Sequence, residues 1–189
     1  MKMILSSSVE KIHKIKAIFL DCGDTLVDEG TEIKNSYGAT LEAELIPTAT
    51  ELVHQIKHLG YPLALVADGP TATFDNVLHQ HHLYCYFDAF AISAEVGVDK
   101  PDARMFLAAL NQLKIDQPDY ASVLMLGNNL ERDIKGANQL GLTSVWLDWS
   151  PRRSKIPANE LEVPQYTIKR PIDLIDIIRS IEEKHLSTT

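Results

Sequence analysis

The chain has 189 residues, of which 45% are hydrophobic and 23% charged, and its net charge is -8 with the histidines neutral. This length suits one domain with a sizeable core, and the acidic balance argues against nucleic acid or an anionic membrane as the main partner, because both select basic surfaces. The two cysteines, Cys22 and Cys85, have no spacing typical of a zinc site or a disulfide framework.

The domain organisation expected from the sequence is simple. Residues 1–14 are predicted to be an N-terminal extension, and residues 15–185 a single α/β domain. The apolar stretch near the N-terminus is too short for a secretory signal, and no later segment is long and apolar enough to span a bilayer. We therefore expect a cytoplasmic protein.

Short apolar runs alternate with amphipathic segments along the chain. Buried strands are predicted at 17–20, 63–66, 123–126 and 143–147, with flanking strands at 90–92 and 166–168. Helices are predicted at 52–59, at 101–113 with Pro101 in the first turn, at 134–140 and at 174–181, with Gly60 and Gly141 as helix ends. This alternation predicts a three-layer, Rossmann-like α/β fold, in which a parallel sheet is covered by helices on both faces.

Polar residues follow the predicted strands at the point where each strand ends. The segments are Asp21-Cys-Gly-Asp-Thr25, Ala67-Asp68-Gly69 and Gly127-Asn-Asn-Leu-Glu-Arg-Asp133, and Lys100-Pro101 precedes a predicted helix. In such sheets ligands bind beyond the carboxyl ends of the strands. We therefore expect these carboxylates, the lysine and the glycine-containing turns to converge on one site.

This ordered set of motifs resembles the haloacid dehalogenase-like (HAD) superfamily, whose best-known members are magnesium-dependent phosphatases. LDCGDTL resembles the first motif, LVADG the second, Lys100-Pro101 the third and GNNLERD the fourth, and the resemblance extends from Lys16 to Ile178. It implies hydrolysis of a phosphate ester through an aspartyl-phosphate on Asp21, with Mg²⁺ as the cofactor. The residues placed in the site are Asp21, Lys100 and Asp24 in catalysis, Ala67, Asp68, Gly69 and Lys100 around the phosphate, and Asp21, Gly23, Asn128 and Asp133 around the metal.

Elementary electrostatics supports the comparison. A carboxylate that attacks a phosphate ester brings two anions together, and their repulsion must be compensated. A magnesium ion held by few carboxylates and by water supplies positive charge, and the ammonium group of Lys100 supplies more. Turn amides after Asp21 and around Gly69 are expected to donate hydrogen bonds to the phosphate oxygens.

Three positions depart from the pattern of the family. Phosphatases of the family commonly have a general acid–base aspartate two residues after the nucleophile, where this chain has Gly23, and Asp24 is considered as its replacement. Ala67 stands where Ser or Thr is usual, and Asn128 stands at the first acidic position of the fourth motif. A hydrolase of low activity, a binding or scaffold protein that has lost turnover, and a dehalogenase therefore stay open, the hydrolase being favoured.

Several charged residues also have structural interpretations. Asp68, besides its place near the phosphate, is expected to cap the helix that begins near Thr71. The basic stretch 151–155 is interpreted as a solvated loop. The histidines of the stretch 79–82 are interpreted as cations at a helix C-terminus rather than as metal ligands.

Many members of the family carry a cap domain between the first and second motifs. In this chain only about twenty residues separate Leu26 from the helix that starts near Thr48, which is too few for a cap. A site without a cap accepts a bulky substrate or is walled by a neighbouring subunit. We therefore expect a small-molecule or macromolecular phosphorylated substrate, no nucleic-acid or membrane partner, and consider a homo-oligomer.

Overall fold

A central parallel sheet forms the core of the computed structural model, which describes residues 14–187. The predicted extension over residues 1–14 lies outside the described residues except for Lys14. In chain order the strands are β1 Ala17–Leu20, β2 Ile33–Lys34, β3 Thr40–Glu42, β4 Leu63–Ala67, β5 Ala89–Ile92, β6 Val123–Gly127, β7 Thr143–Leu147 and β8 Tyr166–Ile168. Six of them form the sheet in the order β5-β4-β1-β6-β7-β8, and all its pairings are parallel. The parallel sheet predicted from the alternating pattern is confirmed.

The helices cover both faces of this sheet. They are α1 Ala49–His58, α2 Thr71–Gln80, α3 Ser93–Val96, α4 Ala103–Gln112, α5 Lys135–Leu140 and α6 Leu174–Leu186. One difference from the prediction concerns Pro101, which lies ahead of α4 and not in its first turn. The helix is capped instead by the side chain of Asp102, which accepts a hydrogen bond from the backbone N–H of Arg104.

Alternate side chains of each strand enter two separate apolar layers. Ile18 and Leu20 of β1 pack in the layer that contains the buried residues of α1, α2 and α6, whereas Ala17 and Phe19 pack in the layer of α4 and α5. All four residues are completely buried, which explains the continuous apolar run in the sequence. Burial of one such large side chain stabilises the fold by about 1.5–3 kcal/mol. The three-layer α/β architecture is therefore confirmed.

Strands β2 and β3 form an antiparallel hairpin between β1 and α1, which the sequence analysis did not predict. The hairpin is fixed to α2, because Thr40 N donates to Thr73 Oγ1 at 3.0 Å and Asn76 Nδ2 donates to Thr40 O at 2.9 Å. Just beyond β3, Ala43 O contacts His81 Nε2 at 2.7 Å. This hairpin occupies the position at which a cap would be inserted.

The tip of the hairpin is exposed. Asn35 Oδ1 accepts hydrogen bonds from the N–H groups of Tyr37 and Ala39 at 2.9 and 3.1 Å, and Tyr37 is 92% exposed. Gly38 has a φ of +82°, so the reversal uses a conformation that glycine adopts without strain. Over residues 14–187 the longest helices fall short of what crossing a membrane requires, in length and in apolar character.

Candidate active site

A cavity of about 530 Å³ opens at the carboxyl edge of the sheet. Asp21 follows β1, Asp68 follows β4 and Asn128 follows β6, so neighbouring parallel strands deliver all three residues to the same edge. Lys100 and Asp133 complete the floor of the cavity. The predicted strand-end residues thus share one cavity.

The ammonium group of Lys100 lies between two carboxylates. Lys100 Nζ is 2.7 Å from Asp21 Oδ1 and 2.7 Å from Asp133 Oδ1, and its third hydrogen bond, 2.8 Å long, goes to Val66 O. The lysine side chain is only 2% exposed. Burial by itself lowers the pKa of Lys100, but the carboxylates of Asp133, Asp21 and Asp68 outweigh it and hold this pKa above its usual range. Lys100 is therefore a fixed positive charge beside Asp21.

Asp68 positions the segment that carries Lys100. Its Oδ1 accepts a hydrogen bond of 2.9 Å from Lys100 N, and its Oδ2 accepts one of 3.0 Å from Arg132 Nη1. Helix α2 begins at Thr71, as predicted, but its N-terminus has no side-chain cap, so the prediction that Asp68 caps it is wrong. The arginine also compensates the carboxylate that would otherwise repel a phosphate.

The other residues predicted around the phosphate differ in their access to the cavity. Ala67 is 1% exposed and does not line the cavity, whereas Gly69 does. The backbone N–H of Gly69 donates to Ser93 Oγ at 2.9 Å, so this amide already has a partner. For the Gly69 amide to donate to a phosphate oxygen, as expected, it would have to give up its hydrogen bond to Ser93.

The side chain of Asp133 packs directly over Gly127. A Cβ atom at position 127 would lie 2.3 Å from Asp133 Cγ, so only glycine leaves room for the carboxylate. Asp133 Oδ2 accepts a hydrogen bond of 3.0 Å from Asn129 N. Burial raises the pKa of Asp133 to about 7, and Lys100 opposes this shift. Burial therefore destabilises the ionised form of Asp133, and a further cation nearby would stabilise it.

The donor set of the cavity fits a magnesium ion. Asp21 Oδ2 has only a long hydrogen bond of 3.3 Å, from Thr25 Oγ1, so the Asp21 carboxylate as a whole keeps lone pairs for further partners. Asn128 is 5% exposed, and its Nδ2 is the one buried side-chain polar atom of residues 14–187 without a hydrogen-bond partner. A 180° rotation of the amide would exchange its two ends and put the oxygen, a possible metal ligand, where Nδ2 lies.

Within the described part of the chain, no three His, Cys, Asp or Glu side chains converge as metal ligands. Magnesium does not need three, because it uses one or two carboxylates together with other oxygens and water. Asp21, Asp133, the Asn128 amide and the carbonyl of Gly23, which also lines the cavity, fit this requirement.

Asp24 is not brought into the cavity. It is completely buried, and its carboxylate is held by Arg152, with Nε 2.9 Å from Oδ2 and Nη2 2.5 Å from Oδ1. Burial would raise the pKa of Asp24, but the hydrogen bonds from the side chains of Arg152 and Ser150 and from Glu29 N lower it. The structure therefore places Asp24 as an ionised anchor for Arg152, outside the lining of the cavity that contains Asp21, contrary to the expectation that it replaces the missing aspartate.

Glu29 occupies the space beside Gly23. A Cβ atom at position 23 would lie 2.3 Å from Glu29 Oε1, and Glu29 lines the same cavity as Asp21. Arg153 Nη2 donates to Glu29 Oε1 at 3.0 Å and to Oε2 at 2.7 Å. Burial raises the pKa of Glu29, and although Arg153 opposes this, the neighbouring carboxylates of Asp24 and Asp21 add to it.

The sequence analysis missed both Glu29 and Arg153. The stretch 151–155 is a loop with mostly exposed residues, as interpreted, but its basic side chains are not free: Arg152 pairs with Asp24 and Asp28, Arg153 with Glu29, and Lys155 with Asp148. The available signal was complementary charge: an acidic segment shortly after the first motif and two adjacent arginines in a later loop. The sequence alone did not indicate that these segments meet.

Comparisons with known proteins identify the family of the chain. A family model described as haloacid dehalogenase-like hydrolase matches residues 30–141. A glyceraldehyde 3-phosphate phosphatase of Methanopyrus kandleri is 30% identical over 138 residues, which cover 73% of this chain and 56% of the relative. A phosphoserine phosphatase of Thermus thermophilus is 34% identical over 104 residues, which cover 55% of this chain and 41% of the relative. The chain thus spans about half the length of these curated relatives.

A solved structure has the same fold. The crystal structure of a HAD phosphatase from Thermococcus onnurineus superposes with a TM-score of 0.71, covering 89% of this chain and 100% of the other at 17% identity. At this identity the likeness concerns the fold alone.

Proposed function

The chain belongs to the haloacid dehalogenase-like hydrolases, and from this we propose that it is a Mg²⁺-dependent phosphatase that forms an aspartyl-phosphate on Asp21. The observation that carries the proposal is the arrangement of Asp21, Lys100 and Asp133 on one cavity, with the lysine ammonium 2.7 Å from both carboxylates. A carboxylate fixed at a strand end beside a permanent cation is suited to attack an anionic ester.

Asp21 is proposed as the nucleophile because its carboxylate is rigid and reachable. It follows directly on the fully buried strand β1, and its side chain is 12% exposed, towards the cavity. One carboxylate oxygen is oriented by Lys100, whereas the other has only the weak contact with Thr25. The second oxygen is therefore free to form the bond to phosphorus.

Lys100 and the proposed metal have separate tasks. Lys100 offsets the charge of the nucleophile and of the incoming phosphate, a stabilisation that a fixed group supplies without reorganisation. A Mg²⁺ ion held by Asp21, Asp133, Asn128 and the Gly23 carbonyl would neutralise further negative charge on the phosphate. Because Asn128 contributes no charge, we expect the metal to bind more weakly than it would to an all-carboxylate site.

The proposed substrate is a phosphorylated molecule that enters an open cavity. The printed names of the relatives are those of phosphatases for glyceraldehyde 3-phosphate and phosphoserine, and a small phosphorylated metabolite is proposed here by analogy. The lining of the cavity includes Lys34 of the β2–β3 hairpin and Arg132. Both are positive groups suited to polar substituents of a substrate.

The test is the release of nitrophenol from p-nitrophenyl phosphate with and without Mg²⁺. Asp21→Asn should abolish Mg²⁺-dependent release, whereas the matched control Asp176→Asn should not, because Asp176 is 79% exposed on α6. Absence of release by the unmodified chain across divalent metals and pH values would refute the proposal in favour of a binding or scaffold role. Release of chloride from a 2-chloro acid without metal would favour a dehalogenase.

A further inference from the structure

We propose that Glu29 is the proton-transferring carboxyl of the reaction, in place of the aspartate that the family commonly has at position 23. This proposal rests on the proposed phosphatase function. It names a catalytic residue outside the motifs that carry the resemblance, on a turn between β1 and the β2–β3 hairpin.

The first observation is the place of the Glu29 carboxylate. Oε1 lies 2.3 Å from where the Cβ atom of a residue-23 side chain would be, and Cδ lies 3.1 Å from that point. Within an aspartate, a carboxylate oxygen is two bonds from its own Cβ, which is a similar separation. Glu29 therefore puts a carboxylate oxygen into the space that an aspartate at position 23 would fill, and Gly23 leaves that space free.

The second observation is that Glu29 is held in this place. Arg153 donates to both carboxylate oxygens, at 3.0 and 2.7 Å, and Glu29 N donates to Asp24 Oδ1 at 3.1 Å. Asp24 is in turn fixed by Arg152. Two consecutive arginines thus immobilise the turn and the side chain, and a group held in place loses little entropy when it reacts.

The third observation is that two other acids of the cavity, Asp68 and Glu32, already have partners of their own. Asp68 is engaged by Lys100 N and Arg132, and Glu32 accepts from Thr40 Oγ1 at 2.8 Å and pairs with Lys34 on the hairpin. Glu29 keeps 27% of its side chain exposed and lines the cavity together with Asp21. Among these, it is the carboxylate adjacent to position 23.

The reaction balances with Glu29 in this role. In the first step Glu29 begins protonated on Oε1, having given up the longer hydrogen bond from Arg153 and kept the one to Oε2. Asp21 Oδ2 forms a bond to phosphorus while the bond from phosphorus to the ester oxygen breaks, and the leaving oxygen takes the proton from Glu29 Oε1. Water then attacks the aspartyl-phosphate, Glu29 takes the proton of this water, and the bond between Asp21 and phosphorus breaks. Phosphate leaves, and both carboxyl groups return to their initial state.

The experiment compares two esters by rapid mixing at a Mg²⁺ concentration that saturates the unmodified chain. Nitrophenolate leaves without a proton, so Glu29→Gln should keep the initial burst of nitrophenol from p-nitrophenyl phosphate but slow the steady state about 10²–10⁴-fold. With an alkyl phosphate, whose leaving oxygen needs a proton, the burst of alcohol should be lost as well. The control Glu44→Gln alters an exposed acid close to the same turn and should change neither phase.

A rescue adds a second arm. Gly23→Asp alone should disturb the site, because the new Cβ atom meets the Glu29 carboxylate. Glu29→Ala should be slow. The double variant Gly23→Asp/Glu29→Ala should turn over at least tenfold faster than Glu29→Ala, because removal of the glutamate makes room for the aspartate, which supplies the missing acid. Failure of this rescue would contradict the claim that the Glu29 carboxyl and an aspartate carboxyl at position 23 occupy the same place.

Other outcomes overturn the proposal in distinguishable ways. Unchanged kinetics of Glu29→Gln on both esters would remove Glu29 from the reaction while Asp21→Asn still abolished release. An activity of Glu29→Gln that recovers fully at higher Mg²⁺ would make Glu29 a metal-binding group. No release by the unmodified chain would refute the phosphatase function itself, and this inference with it.

Discussion

Replacement of Arg152 by methionine should destabilise the protein, because it leaves a buried carboxylate without its partner. Asp24 is completely buried and Arg152 holds both of its oxygens. Removal of one partner from a buried ion pair costs about 3–5 kcal/mol. The Arg152 side chain is 34% exposed, so water can enter the vacated space, and we expect the lower figure of about 2–3 kcal/mol. Methionine keeps the apolar stem that packs near Trp149.

Urea denaturation and thermal unfolding measure this effect. In a domain of this size, 1 kcal/mol corresponds to about 2–4 °C in the melting temperature, so Arg152→Met should lower it by about 4–12 °C. The control Arg179→Met removes an exposed pair on α6, in which Arg179 is 62% and Asp176 79% exposed, and should leave the midpoint unchanged. The double variant Asp24→Asn/Arg152→Met should regain much of the loss, because no buried charge is left unpaired.

The pH dependence of the same variant follows from the lowered pKa of Asp24. A carboxyl whose pKa is lower in the folded state stabilises the fold above its unfolded pKa of about 3.9 and loses this contribution as the pH falls through the folded pKa. In Arg152→Met the unpaired carboxylate gains by protonation, so the gap in stability to the unmodified protein should narrow between pH 7 and pH 4. The reasoning would be refuted if Arg152→Met lost no more stability than Arg179→Met. It would also be refuted if the double variant lost the sum of the stabilities lost by Asp24→Asn and by Arg152→Met alone.

Three further substitutions test the floor of the cavity. Gly127→Ala should cost about 1–3 kcal/mol in urea denaturation and suppress phosphate release, because its Cβ would lie 2.3 Å from Asp133 Cγ; normal activity would contradict the packing described. Lys100→Met should lower the unfolding free energy by about 3–5 kcal/mol without metal, with partial recovery in Mg²⁺, because Asp21 and Asp133 lose their common partner; equal loss with and without Mg²⁺ would count against the metal site. Asn128→Asp should tighten Mg²⁺ binding in calorimetry by roughly tenfold, equivalent to about 1.4 kcal/mol, since it adds a carboxylate; weaker binding would argue that Asn128 is not a ligand.

The strands of the sheet were predictable because burial on both faces constrains a run of consecutive residues. A strand that is covered on both faces must be apolar at every position, as in Ala17–Leu20, so the pattern is visible without knowledge of the tertiary structure. The same holds for the strand-end position of Asp21. The structure brings Asp21, Lys100 and Asp133 together as expected, while their chemical roles stay predictions.

The misinterpreted residues are those whose surroundings are set by distant segments. Asp24 was considered a catalytic substitute because it adjoins Gly23, but its partner Arg152 lies 128 residues later in the chain. Asp68 was expected to cap its own helix, whereas its partners are Lys100 and Arg132. Short-range reasoning assigns a carboxylate to the nearest donor in sequence, and a buried carboxylate is instead satisfied by whichever cation the fold brings to it.

The hairpin was missed for another reason. Its strands Ile33–Lys34 and Thr40–Glu42 have two and three residues, which is below the length at which alternation is recognisable, and most of their residues are exposed. Its position depends on hydrogen bonds with α2, such as that from Thr40 N to Thr73 Oγ1, that no local pattern announces.

The hairpin tip also makes this scaffold open to elaboration. The reversal at 35–39 is stabilised by its own Asn35, and the hairpin's hydrogen bonds to α2 all lie further along the chain. Extra residues introduced between Tyr37 and Gly38 would grow from an exposed turn that already borders the cavity, without disturbing the sheet. A longer segment at this one peptide bond would add residues next to Gly38, which lines the cavity, so new substrate contacts can be introduced without altering the buried strands.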